Sequence, residues 1–205
     1  MTGRERFDMI KAYESWQGHR QGEGSDRRYP PAASITVNST GACSECCAPV
    51  GGPEECQKLF DDLLARDLSN ALYFSSHRLV VDCYAMQHER YIRSYKSFAA
   101  HLTGLCCAVE FGSDPQLMRA IHMGMNAVVK GERPELVSHR GDLTILSISR
   151  AADVESYCGA LNAWADSTWR AWAPYHELAR SLLKKMSYSS NASKAMRKFR
   201  AESVQ

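Results

Sequence analysis

The amino-acid sequence predicts an all-α protein, a helical bundle with a short N-terminal cysteine loop that resembles a zinc knuckle. Apolar residues recur at helical spacing from residue 53 onward. Proline, glycine and capping residues mark where these segments begin and end. Cys43, Cys46 and Cys56 lie in a turn-rich segment before the first helix. That segment has little apolar content, so a bound metal would supply the stability that it lacks.

Composition limits the classes of function. The chain has 205 residues and a formal net charge of +2, which gives no general argument for binding nucleic acid or anionic membranes. No apolar run approaches the roughly 20 residues of a membrane span. The first residues contain no apolar signal region, so we expect a cytoplasmic, reducing location. In that setting closely spaced cysteines are more often metal ligands than disulfides.

The pattern divides the chain into three parts. Residues 1–40 are expected to be a peripheral or partly disordered N-terminal extension, and residues 186–205 a basic tail. Between them we predict a single helical domain over residues 41–185, with the cysteine knuckle at 41–56. Predicted helices cover residues 53–68, 71–89, 94–110, 115–130 and 152–185.

Three details refine this prediction. Pro174 falls inside the last predicted helix and should kink it. Ser113, Asp114 and Pro115 form the pattern of a helix N-cap followed by proline at the first helical position. The alternating residues 143–148 are predicted to be extended, because one isolated strand is only marginally stable.

The knuckle has the spacing of a metal site. Cys43 and Cys46 form a Cys-x-x-Cys pair, and Cys56 offers a third thiolate. Either His77 or His88 would complete a tetrahedral zinc shell from the next helix. A redox pair, an iron–sulfur ligand set and non-ligating cysteines are the alternatives. The other cysteines lie in apolar helical patterns and are expected to be core thiols: Cys83, Cys106, Cys107 and Cys158.

Several polar residues on predicted inward faces offer a second interpretation. His77 and His88 fall on one face of a regular helix. Their convergence with residues of other helices would form an open metal or acid–base site, with the candidates His77, Asp82, His88, His101 and His176. The alternative is that each histidine bonds a neighbour within the core. Asp82 and Gln87 would need partners if buried, and Arg78 or a histidine nitrogen suits Asp82.

Three segments together resemble an uncharacterised bacterial family, the domain of unknown function 5946. They are the cysteine segment, residues 77–88, and residues 164–176, and the resemblance covers about residues 43–183. The matching positions are Cys43, Cys46, Cys56, His77, Arg78, Asp82, Tyr84, Gln87, His88, His101, Trp164, Trp169, Trp172 and His176. The chain departs in a shorter gap between Cys46 and Cys56, in Tyr175 in place of a second histidine, and in Glu89 in place of proline. The resemblance implies a bacterial cytoplasmic protein with a metal site and no established reaction.

These observations lead to three functional hypotheses. The first is a zinc-binding helical protein with a structural knuckle, acting as an accessory protein with a protein partner. The second is a metal-dependent enzyme with an open, histidine-lined site. The third is a weak nucleic-acid-associated module that uses two short basic clusters, and the neutral balance of the chain argues against it.

Overall fold

The fold is described for residues 41–188 in a computed structural model. Over these residues the secondary structure is helical, with no β-strand, which confirms the predicted all-α class. The predicted N-terminal extension, residues 1–40, and residues 189–205 of the predicted tail lie outside the described part. None of the described helices combines the length and apolarity needed to cross a membrane.

The described helices follow one another with short connections, except for the long loop of residues 129–145. Short 3-10 turns occur at Glu89–Tyr91 and Ala173–Tyr175. The α-helices are α1 (Pro53–Ser69), α2 (Ala71–Phe74), α3 (His77–Gln87), α4 (Tyr95–Phe111), α5 (Pro115–Val128), α6 (Leu146–Ser149), α7 (Val154–Ala171) and α8 (residues 176–188).

Helix ends follow the capping residues of the sequence. The predicted cap before α5 is confirmed, because the Asp114 carboxylate accepts hydrogen bonds from the backbone N–H groups of Gln116 and Leu117 at 2.9 and 2.8 Å. Helix α7 begins with a capping box between Asp153 and Ser156. Helix α4 ends at Gly112, whose φ of 60° is the left-handed conformation that glycine adopts without strain.

The core lies where α3, α4 and α7 pack against one another. Its largest fully buried side chains include Trp164, Trp172, Tyr84 and Phe98. The indole N–H of Trp164 donates to Gln87 Oε1 at 3.0 Å, so a buried amide is paired within the core. Gln87 in turn donates to the backbone carbonyls of residues 140 and 143 and ties that loop to α3.

The structure corrects the helix predicted over residues 71–89. It is divided into α2 and α3 by a turn at Ser75 and Ser76, where the Ser75 hydroxyl donates to the carbonyl of Leu72. Serine side chains compete with helical hydrogen bonds in this way. At the other end, His88 has φ −125° and ψ 111°, so it follows the helix in an extended conformation. His77 and His88 therefore lie at opposite ends of α3.

Two further predictions differ from the structure. The segment predicted to be extended over 143–148 turns into the short helix α6, where the Thr144 hydroxyl accepts from the backbone N–H of Leu146 at 3.4 Å. The predicted long C-terminal helix is interrupted rather than only kinked at Pro174. Proline cannot donate the helical hydrogen bond, and a 3-10 turn joins α7 to α8 there.

Candidate metal centre

The loop that carries the first two cysteines is closed by backbone hydrogen bonds. The N–H of Cys43 donates to the carbonyl of Ala48 at 2.8 Å, and the N–H of Cys47 donates to the carbonyl of Cys43 at 2.9 Å. Cys47 has a φ of 61° and an exposed side chain, whereas Cys46 is buried. The turn therefore directs Cys43 and Cys46 inward and leaves Cys47 at the surface.

Two helices bring the remaining side chains to this loop. Cys56 lies in the first turn of α1, and its N–H donates to the carbonyl of Gly52 at 3.1 Å. His88 follows the last residue of α3. The ligand atoms of Cys43, Cys46, Cys56 and His88 all lie within 4.8 Å of one another, and all four residues are buried. In the part of the chain that the structure describes, this is the one such group of potential metal ligands.

The distances within the group match a tetrahedral ion. Zn–S bonds of about 2.3 Å and Zn–N bonds of about 2.0–2.1 Å place two sulfurs about 3.8 Å apart, and a sulfur and a nitrogen about 3.5 Å apart. The Cys46 and Cys56 sulfurs are 3.7 Å apart. His88 Nε2 lies 3.6 Å from the Cys43 sulfur and 3.4 Å from the Cys56 sulfur. These three separations, with all four donors within 4.8 Å of one another, fit a single ion held by three cysteines and one histidine.

The backbone selects the nitrogen that His88 presents. Its Nδ1 lies 2.7 Å from the carbonyl oxygen of Tyr84, which can only accept a hydrogen bond. Nδ1 therefore carries the proton and Nε2 keeps its lone pair toward the cysteines. Histidine ligands of metals are commonly oriented by a second contact of this kind.

Aromatic side chains enclose one side of the group. The Tyr84 ring stacks on His88 at a centroid distance of 3.8 Å and on Phe60 at 3.9 Å. Its hydroxyl donates toward the Cys56 sulfur at 3.7 Å and accepts from Arg90 at 3.2 Å. Tyr84 therefore holds the imidazole in place and directs a hydrogen-bond donor at one thiolate.

The thiols of Cys46 and Cys56 differ in their protonation. A hydrogen bond from the Cys46 thiol, with smaller effects of His88 and Tyr84, lowers the pKa of Cys56 to about 4 against the opposing effect of burial. The same hydrogen bond to Cys56, together with burial, raises the pKa of Cys46. Cys56 is thus the thiolate of the pair, and Cys46 would have to release its proton to bind a metal.

Charged residues fasten the knuckle to the far end of α3. The Glu45 carboxylate accepts from the backbone N–H of Glu89 at 2.6 Å. Arg140 lies 3.9 Å from Glu45 and 3.8 Å from Glu89, and donates to the carbonyl of Gln87 at 3.2 Å. The residue before Cys46 and the residue after His88 are thereby held together.

The structure places the other sequence candidates elsewhere. His77 lies 3.5 Å from Asp67, and His101 Nδ1 lies 2.8 Å from Asp82. His176 bonds the carbonyl of Trp169 at 2.8 Å and stacks on its indole ring. His88, and not His77, is therefore the histidine that lies with the three cysteines. The other three candidate histidines, His77, His101 and His176, each contact a neighbour within the fold.

The structural roles of three charged residues were not predicted from the sequence. Glu45 and Arg140 support the knuckle from outside, and Asp67 is a fully buried carboxylate on α1. A signal exists for Glu45, because it lies inside the Cys-x-x-Cys turn. Asp67 and Arg140 gain their partners through contacts distant in sequence, which periodicity does not reveal.

Comparison with known proteins is consistent with this site. The model of a family described as "Family of unknown function (DUF5946)" matches residues 41–173, a range that contains all four members of the cluster. No curated protein and no solved structure matches the chain.

Proposed function

Since the chain belongs to this family of unknown function, we propose its role from its own site: Cys43, Cys46, Cys56 and His88 bind one Zn²⁺ as a structural centre. The proposal rests on the agreement of one sulfur–sulfur and two sulfur–nitrogen separations with those of a tetrahedral zinc shell, in a group whose four donor atoms all lie within 4.8 Å of one another. Three thiolates and one imidazole are a donor set that suits zinc better than the oxygen-preferring Mg²⁺ or Ca²⁺.

The structural role follows from the closure of the site. Four protein ligands fill a tetrahedral shell and leave no position for water or substrate, in contrast to catalytic zinc sites with three protein ligands. Each of the four residues is at most 6% exposed. The ion would join the cysteine loop to α1 and to the end of α3.

A role in protein interaction is supported by the surface beside α2. Leu68 is 65% exposed, and Leu72 and Phe74 are each 56% exposed. Three large apolar side chains exposed within seven residues of chain offer apolar surface of the kind that partner proteins cover. We therefore propose an accessory protein that acts through a protein partner. A reducing compartment such as the cytoplasm would keep the three thiolates available for zinc.

Elemental analysis of the untagged protein, purified without chelator, tests the metal centre. We expect about one zinc per chain in the wild type, and less than about a tenth of that in Cys46→Ser and His88→Ala, because a shell that loses one of four ligands binds far more weakly. The matched controls are Cys47→Ser and His77→Ala, which change the neighbouring cysteine and the rival histidine. Both should retain the wild-type zinc content.

Other results would separate the alternatives. Zinc lost from His77→Ala but retained by His88→Ala would contradict the assigned shell. A wild-type protein without metal that takes up no added Zn²⁺ would overturn the zinc centre itself. Iron with a visible charge-transfer spectrum would instead indicate an iron–sulfur or iron–thiolate site.

Affinity capture from an extract of the producing cells tests the interaction role. The zinc-loaded protein is compared with a Leu72→Ser, Phe74→Ser double variant and with Phe111→Ser, which alters an apolar side chain that is 47% exposed on α4. A partner captured by the wild type and by Phe111→Ser, but not by the double variant, would support the proposal. A partner captured equally by all three would exclude the α2 patch as its binding surface.

A further inference from the structure

A cleft beside α4 and α5 has the chemistry of an anion site and shares no residue with the metal centre. We propose that it binds the phosphate group of a small phosphate monoester. The cleft has a volume of about 220 Å³. Its lining residues are Arg78, Lys96, Ala100, Ile121, His122, Met125 and Asn126.

The polar lining consists of groups that can donate hydrogen bonds to an anion. Arg78 and Lys96 are cationic, the imidazole of His122 carries a donor in either protonation state, and Asn126 has an amide NH₂. No carboxylate is among the lining residues. Asp82 pairs with Arg78 from behind the cleft, so the net positive charge of the lining comes from Lys96, and this charge attracts anions and disfavours cations.

Arg78 is held in place before any ligand arrives. Its Nε donates to Asp82 Oδ2 at 2.8 Å, and one terminal nitrogen donates to the carbonyl of Ala100 at 3.1 Å. A guanidinium has five N–H donors, so these two contacts leave others for a ligand. Because its rotamer is fixed by the fold, Arg78 loses little conformational entropy on binding an oxyanion.

The support behind Arg78 is itself buried and closely fitted. Asp82 is 1% exposed and also bonds His101 Nδ1 at 2.8 Å, so it reaches Arg78 from the protein interior. A Cβ at Gly104 would lie 2.1 Å from Asp82 Oδ2 and 3.0 Å from the Arg78 guanidinium. Only glycine at this position of α4 leaves room for the carboxylate. Asp82 is therefore a positioning residue for Arg78.

The shape and charge of the cleft indicate a small ligand. Pockets for drug-sized molecules enclose roughly 300–1,000 Å³, and this cleft is smaller. Ala100, Ile121 and Met125 add an apolar surface beside the charged groups. Phosphate monoesters combine a near-dianionic head with a carbon substituent, and arginine recognises such oxyanions by paired hydrogen bonds. A monoester with a short carbon chain satisfies both parts of the lining.

Amide NMR of the zinc-loaded full chain tests the site. Inorganic phosphate and n-propyl phosphate are titrated at constant ionic strength into the wild type, Lys96→Ala and Lys58→Ala. Lys58→Ala is the matched control, since it removes the same charge from an exposed position of α1 outside the cleft. We expect saturable shifts at the α4 and α5 residues of the cleft, and several-fold tighter binding of the propyl ester because its chain buries apolar area.

The variants decide whether the binding is local. Lys96→Ala should weaken binding of both ligands about tenfold, the loss typical of one charge-assisted hydrogen bond, while Lys58→Ala stays within about twofold of the wild type. Equal weakening by both variants would reduce the effect to general electrostatics and overturn the site. Absent or non-saturating shifts would overturn it as well. Equal affinity for the two ligands would overturn the ester assignment.

Discussion

Helix α3 carries one polar cluster around its middle and another after its last residue, and the two clusters differ in what balances their charges. At the middle, the Asp82 carboxylate is paired with Arg78 and His101, so its charge is balanced by the chain itself. After the last residue, His88 meets three cysteines, and the four members of this group include no lysine or arginine. Buried charge must be compensated by ion pairs or metal coordination. The first cluster is complete in the folded chain, whereas a bound metal cation would complete the second.

Treatment with a metal chelator is expected to have the largest effect on stability, and it should act on the cysteine–histidine cluster alone. We expect a high-affinity chelator to lower the Tm by on the order of 20 °C, because structural zinc contributes roughly 10 kcal/mol or more to folding and each kcal/mol shifts the Tm of a domain this size by about 2–4 °C. Differential scanning calorimetry measures this. Cys43→Ser should start at the lower Tm and respond little to chelator. An unchanged wild-type Tm would mean that the cluster adds no stability through metal.

Overpacking the cluster around Asp82 is expected to have the next largest effect on stability. Gly104→Ala places a methyl group 2.1 Å from Asp82 Oδ2, so the ion pairs must shift. We expect a loss of about 3 kcal/mol in the free energy of unfolding, near the upper end for overpacking. Urea denaturation measures the loss, and zinc content should remain at about one per chain. Loss of zinc along with stability would show that zinc binding depends on the packing around Asp82, and that the two clusters are not independent.

More of the cysteine–histidine cluster than of the ion-pair cluster around Asp82 could be predicted from the sequence. The spacing of Cys43, Cys46 and Cys56 is local, and a turn-rich segment brings the three thiols together with few alternatives. Which of His77 and His88 lies with the three cysteines could not be predicted from the spacing of neighbouring residues. It depends on a serine turn before α3 and on the extended backbone of His88, and a regular helical projection over residues 71–89 contains neither.

Tertiary contacts explain the rest of the difference. The sequence indicated that Asp82 needs a partner and that Arg78, four residues before it, is suitable. His101 joins the pair only because Gly104 allows α4 to approach α3 closely. Asp67 lies on the buried face of α1, in register with Phe60 and Leu63, but the partner of its carboxylate is the hydroxyl of Tyr157, ninety residues along the chain. Such pairs become visible only when helices are placed in space.

A smaller change refines the description of the metal cluster. Tyr84→Phe keeps the rings stacked between Phe60 and His88 but removes the hydroxyl that donates to the Cys56 sulfur. We expect zinc affinity to fall about tenfold, the lower end of effects from residues that orient metal ligands. Competition with a chromogenic chelator measures the affinity. Tyr91→Phe, which loses a hydroxyl bonded to Gln57, is the matched control and should bind zinc like the wild type.

The smallest expected effect concerns a second buried carboxylate, that of Asp67, whose charge is only partly compensated. Burial raises its pKa although the Tyr157 hydroxyl and His77 act in the opposite direction. A carboxyl group whose pKa is higher in the folded state contributes stability below its unfolded pKa, and that contribution is lost as pH rises through the folded value.

The substitution Asp67→Asn mimics the protonated carboxyl group, and its side-chain oxygen can still accept a hydrogen bond from Tyr157. The variant should therefore melt on the order of 2 °C above the wild type at pH 7, with the difference shrinking toward pH 4. Thermal melts across this range measure the trend, and a variant that is less stable than the wild type at pH 7 would show that the contact with His77 outweighs the cost of burial.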